Sequence, residues 1–114
     1  RLGELNLAVI RYLMRALTIQ TKLVLLSDLN IPSTGNRRLV DLCTNLGASQ
    51  FIAQTPAKKF LDEKSFRDTG IEITYVDPPV PIYPQLWGNF ITNLSAFDLV
   101  LNCGPKALDI LVNP

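Results

Sequence analysis

Apolar residues recur at three- and four-residue spacing near the start of the chain, at Leu5, Ala8, Val9, Tyr12, Leu13, Ala16 and Leu17, with Glu4, Asn6, Arg11 and Arg15 between them. That periodicity predicts an amphipathic helix over Gly3 to Leu17. The pattern then changes to a continuous apolar run, Leu23-Val24-Leu25-Leu26 within Lys22 to Ser27, as expected of a strand covered on both faces. A polar stretch from Asp28 to Gly35 reads as a loop. Leu39, Leu42, Cys43 and Leu46 form a second helical stripe, predicting a helix from Asn36 to Leu46 that stops at Gly47, a residue suited to the left-handed conformation after a helix.

Beyond it, Phe51-Ile52-Ala53 reads as a short strand, and Ala57 to Phe66 as a helix opened by Pro56 and ended by Thr69-Gly70. Ile71, Ile73 and Tyr75 alternate with Glu72 and Thr74, the signature of a strand with one face exposed. From Asp77 to Pro84 the prolines at 78, 79, 81 and 84 hold the backbone extended and short of amide donors, a stiff arm rather than a strand. Ser95 with Asp98 marks a helix start, Gly104-Pro105 breaks that helix, and Pro105 begins another through Leu111. Helices alternating with strands in this order predict a single α/β domain over residues 1–114: a Rossmann-like three-layer α/β/α fragment around a short parallel sheet of about three strands. So narrow a sheet has two open edges, which more chain or a partner subunit would complete.

Composition narrows the chemistry. At 114 residues and 47% hydrophobic content, one core is expected. Eleven basic against ten acidic residues leave a net charge of +1 without charge runs, so no nucleic-acid partner is indicated. No apolar run approaches the length of about 20 residues that spans a bilayer, and the opening residues lack the pattern of a signal peptide, which places the expectation in the cytoplasm. Histidine is absent. A Ser-His or Cys-His nucleophile pair and a histidine metal site are therefore excluded within this chain. Cys43 and Cys103 form no close pair and read as reduced packing residues; no metal site and no particular cofactor are indicated.

In open parallel sheets ligands bind beyond the carboxyl ends of the strands, here Ser27-Asp28, Gln54-Thr55-Pro56 and Asp77-Pro78. Asp28 and Asp77 could together hold a metal, bind a hydroxyl-rich ligand or take a proton there, or simply cap turns. Arg38, beside Ser33, Thr34, Gly35, Asn36 and Arg37, could converge on an anion or belong to an ordinary solvated helix cap. Lys58 and Lys59 could meet a phosphate or carboxylate, or remain on a solvated face. Tyr83, Trp87 and Phe90 offer rings to a sugar or a partner, or pack the arm onto the sheet, with Gln85 and Asn89 as polar groups able to orient a ligand. Asn93 and Asn102 read as structural amides at the ends of the fourth helix. A glycine-rich phosphate turn is missing, which disfavours a nucleotide-binding domain.

The segment Tyr83-Pro84-Gln85-Leu86-Trp87-Gly88-Asn89-Phe90, the stretch Asn93-Leu94-Ser95-Ala96-Phe97-Asp98-Leu99, and Asn102-Cys103-Gly104-Pro105, read with Asn6–Leu17, Arg38-Leu39-Val40-Asp41-Leu42-Cys43 and Leu46-Gly47-Ala48, resemble the WbqC-like proteins of bacteria. The resemblance runs from Leu5 to Leu111 and is to the carboxyl-terminal half of a typical member. It implies a transferase-type step in surface-polysaccharide or related biosynthesis, with an activated sugar or acyl group as substrate and a homo-oligomer or the missing amino-terminal half as partner. In the family that other half usually opens with a His-Gln-Pro segment, and the resemblance implies that the reactive groups lie there. The chain departs from the pattern at Ala53-Gln54, where a Ser-Gly pair is usual, and at Val80, where a histidine is frequent. From the strand ends, the ring cluster and the polar loop described above, Asp28 and Asp77 are the candidate catalytic residues, and Tyr83, Gln85, Trp87, Asn89, Lys58 and Arg38 the candidate substrate-binding ones. The alternative is a non-catalytic module that dimerises through its sheet edges and the Trp87 arm.

Overall fold

The first helix, α1 (Leu2–Ala16), forms where the amphipathic stripe predicts it and ends at Leu17, with Thr18 taking a positive φ of 52°. A computed structural model describes residues 1–114, and they divide into two compact units. One comprises Arg1–Lys22 with Pro79–Pro114, the other Leu23–Pro78. No helix is long and apolar enough to cross a membrane.

The unit Leu23–Pro78 contains α2 (Gly35–Asn45), β1 (Gln50–Gln54), α3 (Glu63–Asp68) and β2 (Glu72–Val76). The two strands pair in parallel, Gln50 opposite Glu72 through Gln54 opposite Val76. Side chains alternate across a strand, so Phe51 and Ile73 fall on one face, where they join Val40, Cys43, Phe66 and Ile71 in a core built with α2 and α3. Phe66 is fully buried, its ring centroid 5.1 Å from that of Phe51. Burying a side chain of this size is worth about 1.5–3 kcal/mol. Ile52 projects to the opposite face and is 64% exposed.

Polar groups fix the connections. Asn36 donates from Nδ2 to the Phe60 carbonyl at 2.9 Å and accepts from the Asp62 amide at 2.9 Å, clamping α2 to the link before α3. Asp62 caps α3, accepting from the Ser65 amide and hydroxyl, and those bonds hold its carboxyl below the usual carboxylate range. Gly47, at φ 67°, follows α2 as its pattern requires.

Three expectations are corrected here. Lys22 to Ser27 is not a strand: Leu25 is extended (φ −89°, ψ 134°), but no strand lies alongside the run, and Leu26–Asp28 closes as a 3-10 turn. An apolar run supplies side chains to bury and no hydrogen-bond partner, and Leu23 and Leu26 stay 42% and 43% exposed. The sheet consequently has two strands rather than about three, and this unit carries its helices on one sheet face, short of a Rossmann-like three-layer arrangement. Ala57 to Phe66 is not one helix either. A 3-10 segment, Thr55–Phe60, and α3 are separated at Leu61-Asp62, where Asp62 starts a new helix by capping it.

The other unit contains α1, the proline-rich arm from Pro79 onward, α4 (Ala96–Cys103) and α5 (Ala107–Val112). Its core is Leu17, Tyr83, Leu99, Val100 and Ala107, with Leu13, Ala16, Cys103 and Ile110 packed against it. Ser95 caps α4 by accepting from the Phe97 amide at 3.2 Å, and Gly104, at φ 51°, ends it. A 3-10 turn at Gly104–Lys106 leads into α5.

Replacing Phe66 by Ala removes the ring around which α2, α3 and both strands pack. The expected cost is about 3–5 kcal/mol, read from the denaturant midpoint of unfolding followed by circular dichroism. A shift equivalent to less than about 1 kcal/mol would show that this core tolerates a cavity and that the packing described is not what holds the unit.

Candidate functional site

In-register parallel pairing places Thr55 and Asp77 side by side just past the carboxyl ends of β1 and β2. Thr55 Oγ1 donates to Asp77 Oδ2 at 2.7 Å, bridging the two strands. Asp77 is exposed and keeps its other carboxylate oxygen free of protein donors. Pro56 lies in the first turn of the following 3-10 segment, where its fixed φ suits it. The segment carries Lys58 to the Tyr75 ring, Nζ 5.5 Å from the centroid, within cation–π range. The Tyr75 hydroxyl donates to Glu63 Oε1 at 2.8 Å. Burial, then the Glu63 hydrogen bond and its charge, push the Tyr75 phenol above its ordinary value.

Beside these groups, between α3 and β2, lies a cleft of about 450 Å³ lined by Lys58, Glu63, Arg67, Glu72 and Tyr75 among others. Tyr75, Glu63 and Arg67 are functional candidates that sequence reasoning missed. The alternation of β2 marks Tyr75 as an inward-facing residue, but nothing in the sequence places α3 beside it.

Asp28 does not share the position of Asp77. No strand precedes it, since it sits in the 3-10 turn Leu26–Asp28, and its side chain receives a local bond from Ser27 Oγ at 3.5 Å. The reason for expecting it at a strand end is therefore gone. Arg38 is likewise committed elsewhere: its Nε donates to the Ser33 carbonyl at 2.6 Å, while Ser33 Oγ donates to Asp41 at 2.7 Å and Arg37 pairs with Asp41 at 2.9 Å. The polar loop closes on itself, as a helix-start network does.

Four candidates lie in the unit of α1, α4 and α5. Tyr83 is buried; its hydroxyl donates to Asp98 Oδ2 at 2.7 Å, and its ring meets that of Phe90 edge-on, with centroids 5.6 Å apart. The Asp98 hydrogen bond, with burial behind it, pushes the Tyr83 phenol up. Gln85 uses both ends of its amide on Ile91, donating to the carbonyl at 2.8 Å and accepting from the amide at 2.9 Å. Both residues hold the arm in shape. Asn102 does the same from α4, accepting from the Leu86 amide at 3.1 Å and donating to the Asp98 carbonyl at 2.8 Å, in keeping with its reading as a structural amide. Trp87, 83% exposed, and Asn89 remain open to solvent, with Gly88 between them at φ 67°.

Comparison with known proteins gives the following. A model of the WbqC-like protein family matches residues 1–110. A protein of Mycobacterium tuberculosis described as uncharacterized protein Rv1507c is 31% identical over 111 residues, covering 96% of this chain and 48% of that protein. The chain thus spans about half the length of this relative. No solved structure matches. The matches carry the family; they do not carry the narrower expectation of a carboxyl-terminal half, which is dropped.

The two perturbed tyrosines give a pH dependence with a definite sign. A phenol whose value is raised in the folded state contributes stability that is fully present below the ordinary tyrosine value of about 10 and is lost as pH rises through the raised value. The unfolding midpoint is expected to fall above about pH 10, and Tyr83→Phe is expected to make that fall shallower. Equal slopes for the two proteins would show that the Tyr83–Asp98 bond does not couple to stability.

Proposed function

The chain belongs to the WbqC-like protein family, and from that premise we propose that it supplies the substrate-holding rim of a transferase-type protein acting on an activated sugar or acyl group in surface-polysaccharide or related biosynthesis. The observation that supports this reading most directly is the Thr55–Asp77 bridge, which sets an exposed carboxylate beyond the carboxyl ends of a parallel strand pair, the position where such sheets bind ligands. In this reading Thr55 orients the Asp77 carboxylate, leaving its second oxygen to accept a hydroxyl or take a proton from substrate. The remaining reactive groups would come from the additional length that the relative possesses.

The test is Asp77→Asn in the complete protein, with the pathway product assayed. The amide oxygen can still accept from Thr55, so the rim keeps its shape while proton transfer is lost. A fall of about 10²-fold or more is expected for an acid-base group; unchanged output removes Asp77 from the mechanism.

A second reading, assembly through the arm, is favoured by a separate observation. Ile82, Leu86, Trp87 and Leu101 are 78%, 76%, 83% and 67% exposed, and the Leu86 amide is bonded to Asn102, the residue after Leu101. Sedimentation at micromolar concentration decides it: a dimer abolished by Trp87→Ala supports assembly, whereas a monomer of unchanged fold counts against it.

A further inference from the structure

We propose that the cleft between α3 and β2 binds a phosphorylated polyol, a sugar phosphate in size and chemistry, with its anion on Arg67 and Lys58 and a hydroxyl on Glu63.

Charge accounting within the cleft carries the argument. The ion pairs of the chain are Arg1–Glu4, Arg37–Asp41 and Lys64–Asp68. Neither Arg67 nor Lys58 takes part in one, and neither is held by a side-chain hydrogen bond, although Glu63 and Glu72 line the same depression. Lys58 and Glu63 both address Tyr75, the ammonium over the ring and the carboxylate at the hydroxyl. Tyr75 thus holds a cation and an anion at two points of one wall. A guanidinium presents a planar fork that matches two phosphate oxygens, and a lysine supplies a mobile point charge.

Size and the acidic groups narrow the ligand further. About 450 Å³ falls within the range of small-molecule sites, roughly 300–1,000 Å³, and exceeds what an inorganic anion fills. Glu63 and Glu72, beside the two cations, readily accept from hydroxyl groups. Glu63 has one carboxylate oxygen engaged by Tyr75, which leaves the other as an acceptor. The lining therefore favours a molecule that is anionic at one end and hydroxylated at the other. The inference rests on the proposed function for its choice of a sugar as the hydroxylated part, but it concerns binding in the cleft and not the role of Asp77, so the titration and the Asp77→Asn assay can fail separately.

Titration of the 114-residue chain with glucose 1-phosphate, inorganic phosphate and glucose tests this, followed by amide chemical shifts and by calorimetry. Saturable binding of glucose 1-phosphate is expected, at least tenfold tighter than phosphate or glucose, with shifts centred on residues 58–75. Arg67→Gln is expected to weaken it at least tenfold and Lys58→Gln severalfold. Both side chains are exposed, so the fold should survive either change. Lys64→Gln, which removes a charge from the same helix outside the cleft, should leave affinity unchanged. Absence of saturable binding overturns the proposal. So does equal binding of glucose, or equal weakening by Lys64→Gln and Arg67→Gln, which would indicate net charge alone.

Discussion

Two parallel strands cannot be joined by a tight turn, and this constraint organises the unit that carries the candidate site. The chain leaving Gln54 must travel back the length of the sheet before it can enter β2. It does so through Thr55–Phe60 and α3, and the return journey brings Lys58, Glu63 and Arg67 to the flank of β2. The same geometry sets Thr55 against Asp77, since in a parallel pair both strands end on the same side. Site and crossover are consequences of one pairing, held on its inner face by Phe51 and Phe66 and along its connection by the two-sided clamp of Asn36.

The unit of α1, α4 and α5 obeys a different economy. Its arm is rich in proline and cannot form a ladder, so its shape rests on side-chain hydrogen bonds: Tyr83 to Asp98, Gln85 to Ile91 and Asn102 to Leu86. Each satisfies a polar group that lacks a backbone partner. With Tyr83 turned inward to the core and Phe90 set edge-on against it, Trp87 projects outward. That outward apolar surface is the physical basis for the assembly reading.

Much of the local structure was legible in the residues. The stripe of α1, the stop at Gly47, the Ser95 cap and the alternation of β2 all follow from rules that act within a few residues. What misled was the run Leu23-Val24-Leu25-Leu26, because hydrophobicity states what will be buried and says nothing about which strand is available to pair. Pro56 announces a helical start without specifying 3-10 or α geometry, and the cap at Asp62 decided where the second helix began. At the site, Asp77 was visible because it follows a strand. Glu63, Arg67 and Tyr75 were not visible as a group, since their proximity depends on how α3 returns to the sheet. Arg38, Tyr83 and Gln85 have functional-looking neighbours in sequence and structural partners in space.

The protonation chemistry that this chain can offer is correspondingly narrow. Without histidine, proton transfer near neutral pH falls to carboxylates, thiols or phenols. Burial pushes the Cys43 thiol up, which makes it a poor nucleophile. Tyr75 is pushed the same way, by burial and then by the Glu63 carboxylate that accepts from its hydroxyl, and Tyr83 by the Asp98 carboxylate and then by burial, so both remain neutral donors and serve to position Glu63 and Asp98. Asp98 is committed to Tyr83 inside its unit. Asp77 differs from all of these: its partner Thr55 donates a single hydrogen bond to one oxygen, and the other faces solvent at the strand ends. In the proposed reading, Asp77, Lys58 and Arg67 are the groups through which this chain would orient a substrate.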